Sequence, residues 1–277
     1  MSLIEIEGSL CRGDGHCVAS CPSRILELPE GAAVPRLRAG AEESCIRCGH
    51  CVTVCPHGAL QHEEIPLEQC PRIRPELVLS PEQAEQLLRS RRSIRVYRDR
   101  PVDQATLARL IDLAHYSPTG GNAQTVRWAV VRSSAAVTAL SQHFIDMLTD
   151  MAAHQHPFTR AYPPTELIAE WQAGDDPVSR HAPALVLVGS PAAYPLGAAD
   201  CTAALTYLDL AAPTLGLGTC WAGFLMMACL WWPPMKEAVA ALLPPGYTCH
   251  GIMMVGYPKY RYQRLPPRLP AQVVWQS

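Results

Sequence analysis

Twelve cysteines punctuate a chain of 277 residues, and seven of them fall between Cys11 and Cys55. Cys11, Cys17 and Cys21 recur as Cys45, Cys51 and Cys55 at a constant shift of 34 residues, and Pro22 and Pro56 close the two copies. The same shift sets Asp14 on Cys48. Clustered thiolates at such spacing are soft metal ligands. Structural zinc asks for four ligands in one tetrahedron, usually as two separated pairs. The run Cys45, Cys48, Cys51, Cys55, Pro56 is instead C-x2-C-x2-C-x3-C-P, which suits cubane clusters: three thiolates from one tight loop cap three corners and the fourth reaches a second cluster. Asp14 breaks the first copy, because a carboxylate is a harder ligand than a thiolate. Three outcomes are open there: Asp14 ligates iron, water takes the position, or the site becomes a 3Fe-4S cluster. Cys70, Cys201, Cys229 and Cys249 read as small apolar fillers.

Three later segments could hold a phosphorylated planar ligand. Arg91, Arg92, Ser93 and Arg95 cluster guanidinium groups beside a hydroxyl, which suits a phosphate. A solvated basic turn is the plain alternative. Ser117–Gln124 reads SPTGGNAQ, a loop of small and amide residues that lets backbone approach a flat ligand; an ordinary turn before a strand would look similar. Gly216–Phe224 reads GLGTCWAGF and fails as a dinucleotide fingerprint, since Trp221 stands where the third glycine belongs and a helix precedes it.

The cysteine run resembles the two-cluster bacterial-type ferredoxins over about the first 60 residues. That resemblance implies one 4Fe-4S cluster on Cys21, Cys45, Cys48 and Cys51, and a second on Cys11, Cys17 and Cys55 with Asp14 as a possible ligand. The three later segments, in this order, resemble the nitroreductase family of FMN enzymes over about residues 80–277. This second resemblance implies an α+β homodimer with two flavins at the subunit interface. It also implies that Arg91, Arg92, Ser93 and Arg95 hold the FMN phosphate and ribityl side, and that Pro118, Thr119, Gly120, Asn122 and Gln124 come from the partner subunit. By the same resemblance, backbone around Thr219, Cys220, Trp221, Ala222 and Gly223 faces the reactive edge of the flavin. A basic tail residue is then expected to close on the phosphate, with Arg268 preferred over Arg264 and Lys259. Gly120 and Gly121 stand where many members carry a Ser- or Asn-rich loop.

These residues need elements to position them. We expect a ferredoxin-like two-cluster domain over residues 1–65, a linker over 66–79 and an FMN domain over 80–277, with a central mixed sheet flanked by helices. Ser80, Pro81 and Gln83 form a capping-box helix start, and a second helix starts near Asp103. Strands are expected at Thr125–Arg132, Ala184–Gly189 and Tyr247–Val255, with a possible last one at Gln272–Trp275. Helices are expected over Ser134–Ala152, from Gly197 towards Gly216 with a kink or end at Pro213, and over Lys236–Leu243. His154–His181 reads as irregular. The longest nearly apolar stretch, Cys220–Trp232, is too short to span a bilayer and reads as buried core.

Net charge of -2 and pI near 6.5 give no reason to expect nucleic acid or a membrane surface as partner. The opening MSLIEIEGSLCRGD has no signal-peptide pattern, so a cytoplasmic, reducing setting is expected. The implied activity is an FMN-dependent oxidoreductase. It would take electrons from an external ferredoxin-like donor or NAD(P)H and reduce a nitroaromatic, quinone or activated alkene. An electron-transfer or redox-sensing subunit is the alternative, and a flavin module with purely structural clusters is a weaker one. No protein nucleophile is expected. His154, His156, Tyr162, Trp171 and His181 are candidates for orienting substrate.

Overall fold

The computed structural model describes residues 2–161 and 164–276. The chain divides into two compact units: Met1–Val78 together with Gly120–Ala123, and Leu79–Thr119 together with Gln124–Ser277.

The first unit repeats itself in three dimensions. Strands β1 (Ile4–Ile6), β2 (Leu26–Glu27), β3 (Arg36–Leu37) and β4 (Leu60–His62) form two antiparallel pairs, β1 with β4 and β2 with β3. Helices α1 (His16–Ser20) and α2 (His50–Thr53) pack on each other, α1 also against β2 and α2 against β4. The repeat extends to the backbone dihedrals. Gly13 and Arg47, Gly15 and Gly49, and Arg24 and Gly58 all have positive φ, and each pair is separated by the same 34 residues that relate the cysteines. Gly15 and Gly49 cap α1 and α2 in the left-handed region, where a Cβ would be strained. Ile4, Ile25, Leu26, Val52 and Leu60 form a small core, and Cys17, Cys21, Cys45, Cys51 and Cys70 pack against it.

The second unit begins with α3 (Pro81–Ser90), whose N-terminus is the capping box that its sequence announces: Ser80 and Gln83 exchange side-chain and backbone bonds. Next along the chain come α4 (Gln104–Ala114), β5 (Arg127–Val131), α5 (Ser134–Ala153), α6 (Phe158–Ala161), α7 (Pro164–Gln172), β6 (Ala184–Pro191), α8 (Gly197–Ala211), β7 (Gly218–Trp221), α9 (Gly223–Trp231), α10 (Pro233–Ala240) and β8 (Tyr247–Gly256). The four strands lie in the order β5-β6-β8-β7. Alternation along β6 and β8 separates two cores. Leu185, Leu187, Ile252 and Met254 face one that includes residues of α5, α9 and α10. Val186, Val188, Met253 and Val255 face another that includes α4 and α8. The unit is a sheet between two helical layers, an α+β nitroreductase-like fold.

Several details differ from expectation. The four-stranded sheet, expected to be mixed, is antiparallel at each of its pairings, and a parallel contact appears as the isolated bridge Ser93–Thr219. Connectivity explains this. One helix, α8, joins β6 to β7, so those two strands run the same way, but β8 lies between them. The β7–β8 connection contains two helices, α9 and α10, which return the chain reversed. Residues Phe158–Ala161 and Pro164–Gln172 are helical although His154–His181 reads as irregular; Phe158, Leu167, Ile168 and Trp171 pack on the core and override the Pro- and charge-rich composition. Gly218–Trp221 is a strand and Gly223–Trp231 a helix where continuous buried core was expected, and Trp221, Leu230 and Trp231 are substantially exposed. Gln272–Trp275 pairs with nothing in the described residues and has no strand structure. Pro213 falls in a 3-10 turn, Ala212–Leu215, just beyond the end of α8.

Candidate functional site

Two cavities of the first unit sort the cysteines. One is lined by Cys21, Cys45, Cys48 and Cys51, with Gly49, His50 and His62. The other is lined by Cys11, Cys17, Cys55 and Asp14, with His16 and His57. The last cysteine of each copy thus faces the other copy's cavity. This exchange arises from the packing of α1 against α2, since Cys21 and Cys55 sit just beyond the C-terminal ends of those helices. The sulfurs spread around the cavity walls: among the described residues no group of three or more His, Cys, Asp or Glu side chains converges tightly enough for a single ion. Four thiols around the first cavity, and three thiols with a carboxylate around the second, are donor sets of the kind that hold iron–sulfur cubanes.

Polar groups already point at these sulfurs. The Arg47 N–H donates to Cys45 Sγ at 3.4 Å, and the Ala59 N–H donates to Cys55 Sγ at 3.4 Å. His62 Nε2 lies 3.5 Å from Cys45 Sγ. Its Nδ1 accepts from the Glu64 N–H, and burial lowers its pKa, so the neutral ring presents Nε2–H to the sulfur. Burial pushes the Cys51 thiol up to about 11 and raises Cys17 as well. Metal must displace those protons on binding.

In the second unit, a broad open cavity is lined by Arg91 and Arg92 at the end of α3, Gly216–Thr219 leading into β7, Asp209 of α8, and Lys259–Tyr262 of the tail. Arg92 lies over the Tyr262 ring, 5.3 Å from its centroid. Asp209, nearly buried, accepts from Arg91 Nη1 at 3.2 Å and from the Thr219 hydroxyl. The cationic wall, the aromatic edge and the glycines suit an anionic ligand with a flat ring system. Ser93 joins this site through its bridge to Thr219, reinforced by the Ile94 N–H to Thr219 carbonyl bond at 2.8 Å.

The remaining expected residues are spread more widely. Arg95 is exposed, and its Nη1 donates to the Ser93 carbonyl. Cys220 and Ala222 are buried, Gly223 is exposed and Trp221 is 37% exposed. Thr119 and Gln124 line a smaller cavity with Ser117 and Trp128, and the Gln124 N–H donates to Thr119 Oγ1. Pro118 is exposed. Gly120 and Asn122 group with the first unit, where Asn122 Nδ2 donates to the carbonyls of Ile46 and Arg47. Arg268 is not among the residues lining the large cavity, whereas Lys259 and Arg261 are. Asp209 and Tyr262 were not read from the sequence. Asp209 sits inside an Ala- and Leu-rich helix and carries no local motif. His154, His156 and His181 make local bonds, respectively to Asp150, to the Phe158 N–H and to Asp175, and Trp171 Nε1 donates across to Gln142 of α5. Tyr162 lies outside the described residues.

Thiol-ringed cavities in one unit and a cationic cavity beside an α+β sheet in the other define a two-module redox protein. The chain belongs to the nitroreductase family, which residues 88–257 match, and residues 10–60 match the 4Fe-4S dicluster domain. A protein of Archaeoglobus fulgidus provisionally named NADH dehydrogenase/NAD(P)H nitroreductase is 26% identical over 185 residues, 64% of this chain and 87% of its own length. Among solved structures, an FMN-bound nitroreductase of Bacteroides fragilis superimposes with TM-score 0.57 at 20% identity, covering 70% of this chain and 98% of that one. An FMN-bound nitroreductase of Desulfitobacterium hafniense gives 0.56 at 19% identity, with 72% and 100% covered. The protein is a nitroreductase-type oxidoreductase with an N-terminal ferredoxin domain. No helix among the described residues is long and apolar enough to cross a membrane.

Proposed function

We propose that this chain binds FMN and two iron–sulfur clusters and reduces an electron-poor small molecule with electrons that arrive one at a time. The observation that carries the reading is the exchange of Cys21 and Cys55 between the two thiol-lined cavities. Two cavities that share ligands this way suit a pair of clusters held a short distance apart.

FMN, when bound, supplies both one-electron and hydride chemistry, and the clusters supply single electrons. The chain's own residues bind and orient. Arg91 and Arg92 hold the phosphate, with Lys259 or Arg261 closing from the tail. Asp209 fixes the Arg91 guanidinium and draws the Thr219 hydroxyl towards itself. Gly216 and Gly218 let backbone come close to the ligand. Thr219 to Gly223 face the reactive edge. Pro118, Thr119, Gly120 and Gln124 serve the flavin from a second copy in a homodimer. The substrate is a nitroaromatic, quinone or activated alkene, and the donor is a ferredoxin-like carrier or NAD(P)H. Cys21, Cys45, Cys48 and Cys51 hold one 4Fe-4S cluster. Cys11, Cys17, Cys55 and the Asp14 position hold the other.

Anaerobic purification with iron, sulfide and flavin quantified tests the cofactors, and two clusters with one FMN per chain are expected. Turnover against nitro, quinone and enone compounds tests the reaction. Reduced protein that none of them reoxidises would instead favour an electron-transfer or sensing subunit. Zinc in place of iron would overturn the reading.

A further inference from the structure

Asn122 lies in a short segment whose chain neighbours belong to the second unit, yet Gly120–Ala123 packs with the first. Its side-chain Nδ2 donates to the Ile46 carbonyl at 3.0 Å and to the Arg47 carbonyl at 2.9 Å. Both acceptors lie between Cys45 and Cys48. The bond to Ile46 matters most. The Ile46 carbonyl and the Arg47 N–H are the two ends of one peptide group. That N–H donates to Cys45 Sγ at 3.4 Å. A continuous chain therefore runs from the Asn122 amide through the Ile46–Arg47 peptide to a cysteine sulfur of the first cavity.

The geometry is held against strain on both sides. Arg47 has φ 52° and Asn122 φ 55°, left-handed values that cost free energy away from glycine. Gly121 beside it has φ 57°. Arg47 is further tied by its guanidinium to Glu64. A peptide whose carbonyl accepts a hydrogen bond becomes a better donor at its N–H. Donors to cluster sulfurs stabilise the reduced, more negative state and so raise the potential.

We propose that Asn122 is a positioning residue for the iron–sulfur site of Cys21, Cys45, Cys48 and Cys51, acting through the Ile46–Arg47 peptide on Cys45. Asn122, which the nitroreductase resemblance implies as a flavin contact, directs its side-chain amide protons to the cluster loop. Both bonds end on the loop of the first cavity, so the effect falls on one cluster. The inference rests on the proposed function only in requiring a cluster in that cavity.

The test uses the full-length holoprotein, purified anaerobically, with Asn122→Leu and Asn122→Asp. Leu removes both donors at similar volume, and Asp removes them and adds charge. Redox titrations monitored by EPR give the potential of each cluster, and titrations in an Asp14→Cys background identify which is which. Hydrogen exchange reads the Arg47 amide separately. Both variants are expected to lower the potential of the Cys45 cluster, leave the other unchanged, and speed exchange of the Arg47 amide by up to about tenfold, the loss of one full hydrogen bond setting the upper limit, because its bond to Cys45 Sγ weakens when the Ile46 carbonyl loses the Asn122 donor. A wild-type preparation without iron and sulfide would sink the proposed function itself. Two intact clusters with neither potential nor Arg47 exchange altered would overturn this inference alone. So would loss of flavin with both potentials unmoved, which would return Asn122 to the flavin.

Discussion

Asp14 Oδ2 and His57 Nε2 stand 2.9 Å apart, in the cavity that also holds Cys11, Cys17 and Cys55. The repeat puts Asp14 where the second copy has Cys48. The carboxylate is a weak competitor for iron in a thiolate site, and here the imidazole already occupies one of its oxygens. We expect this corner to give up its iron readily. The oxidised wild type should show a three-iron EPR signal. Asp14→Cys should abolish that signal and raise iron per chain towards the full two-cubane content. A three-iron signal that persists in Asp14→Cys would clear Asp14 of responsibility.

Arg91 and Asp209 form the second testable pair. Asp209 is nearly buried beside the candidate phosphate site and holds Arg91 at 3.2 Å. Arg91→Ala removes a charge-assisted donor, worth ~1.5–3 kcal/mol. Flavin affinity should fall by about tenfold to a hundredfold. Asp209→Asn keeps the shape, frees the guanidinium to wander, and should weaken flavin by a smaller factor. Flavin retained on desalting, titrated against free FMN, measures both. Equal affinity in wild type and Arg91→Ala would remove Arg91 from the site.

Much of this was legible in sequence because it was local. The ferredoxin resemblance of the cysteine run implied which four side chains belong together, and the structure lines one cavity with each set. Ser80, Pro81 and Gln83 predicted the start of α3, because capping is a matter of three neighbouring residues. What escaped was set by distant packing. Gly218–Trp221 becomes a strand because β8 offers it an edge, from Gly218–Gly256 to Trp221–Met253. Nothing in four residues signals that. Asp209 escaped for the same reason: its partners, Arg91 and Thr219, lie on other elements. The Asn122 bonds to Ile46 and Arg47 span 76 and 75 residues and leave no trace in local spacing.

Asp103 gives a pH-dependent prediction. It caps α4 by accepting from the Thr106 N–H at 2.8 Å and from the Thr106 hydroxyl at 2.7 Å. Those bonds, the backbone one foremost, hold its pKa below the usual 3.8. The folded state therefore binds the proton less well than the unfolded one. The cap's contribution is complete above the unfolded value and is lost as pH falls through the folded value. Asp103→Ala should melt lower than wild type at neutral pH, and the gap should narrow as pH drops below about 4. Melting curves from pH 7 down to the acid limit check this. A gap independent of pH would mean that the carboxylate's charge is irrelevant to the cap.

Phe144 anchors the layer on which the β7–α9 turn rests. Its ring is fully buried in α5 and stacks on Phe224 with centroids 4.5 Å apart and planes 19° from parallel. Phe224 directly succeeds Gly223, at the start of α9. Removing Phe144 leaves a large cavity under the segment that is to face the flavin. Phe144→Ala should cost about 3–5 kcal/mol of stability, while Phe144→Leu should cost less because it keeps more of the volume. The effect on the site should come by a separate route: α9 loses its support, so Ala222–Gly223 should exchange amide protons faster even under conditions where the variant remains folded. Chemical denaturation and hydrogen exchange measured on the same samples separate the two. A destabilised Phe144→Ala protein with unchanged exchange at Ala222–Gly223 would show that β7 and its pairing with β8 hold the turn without help from the helix layer beneath.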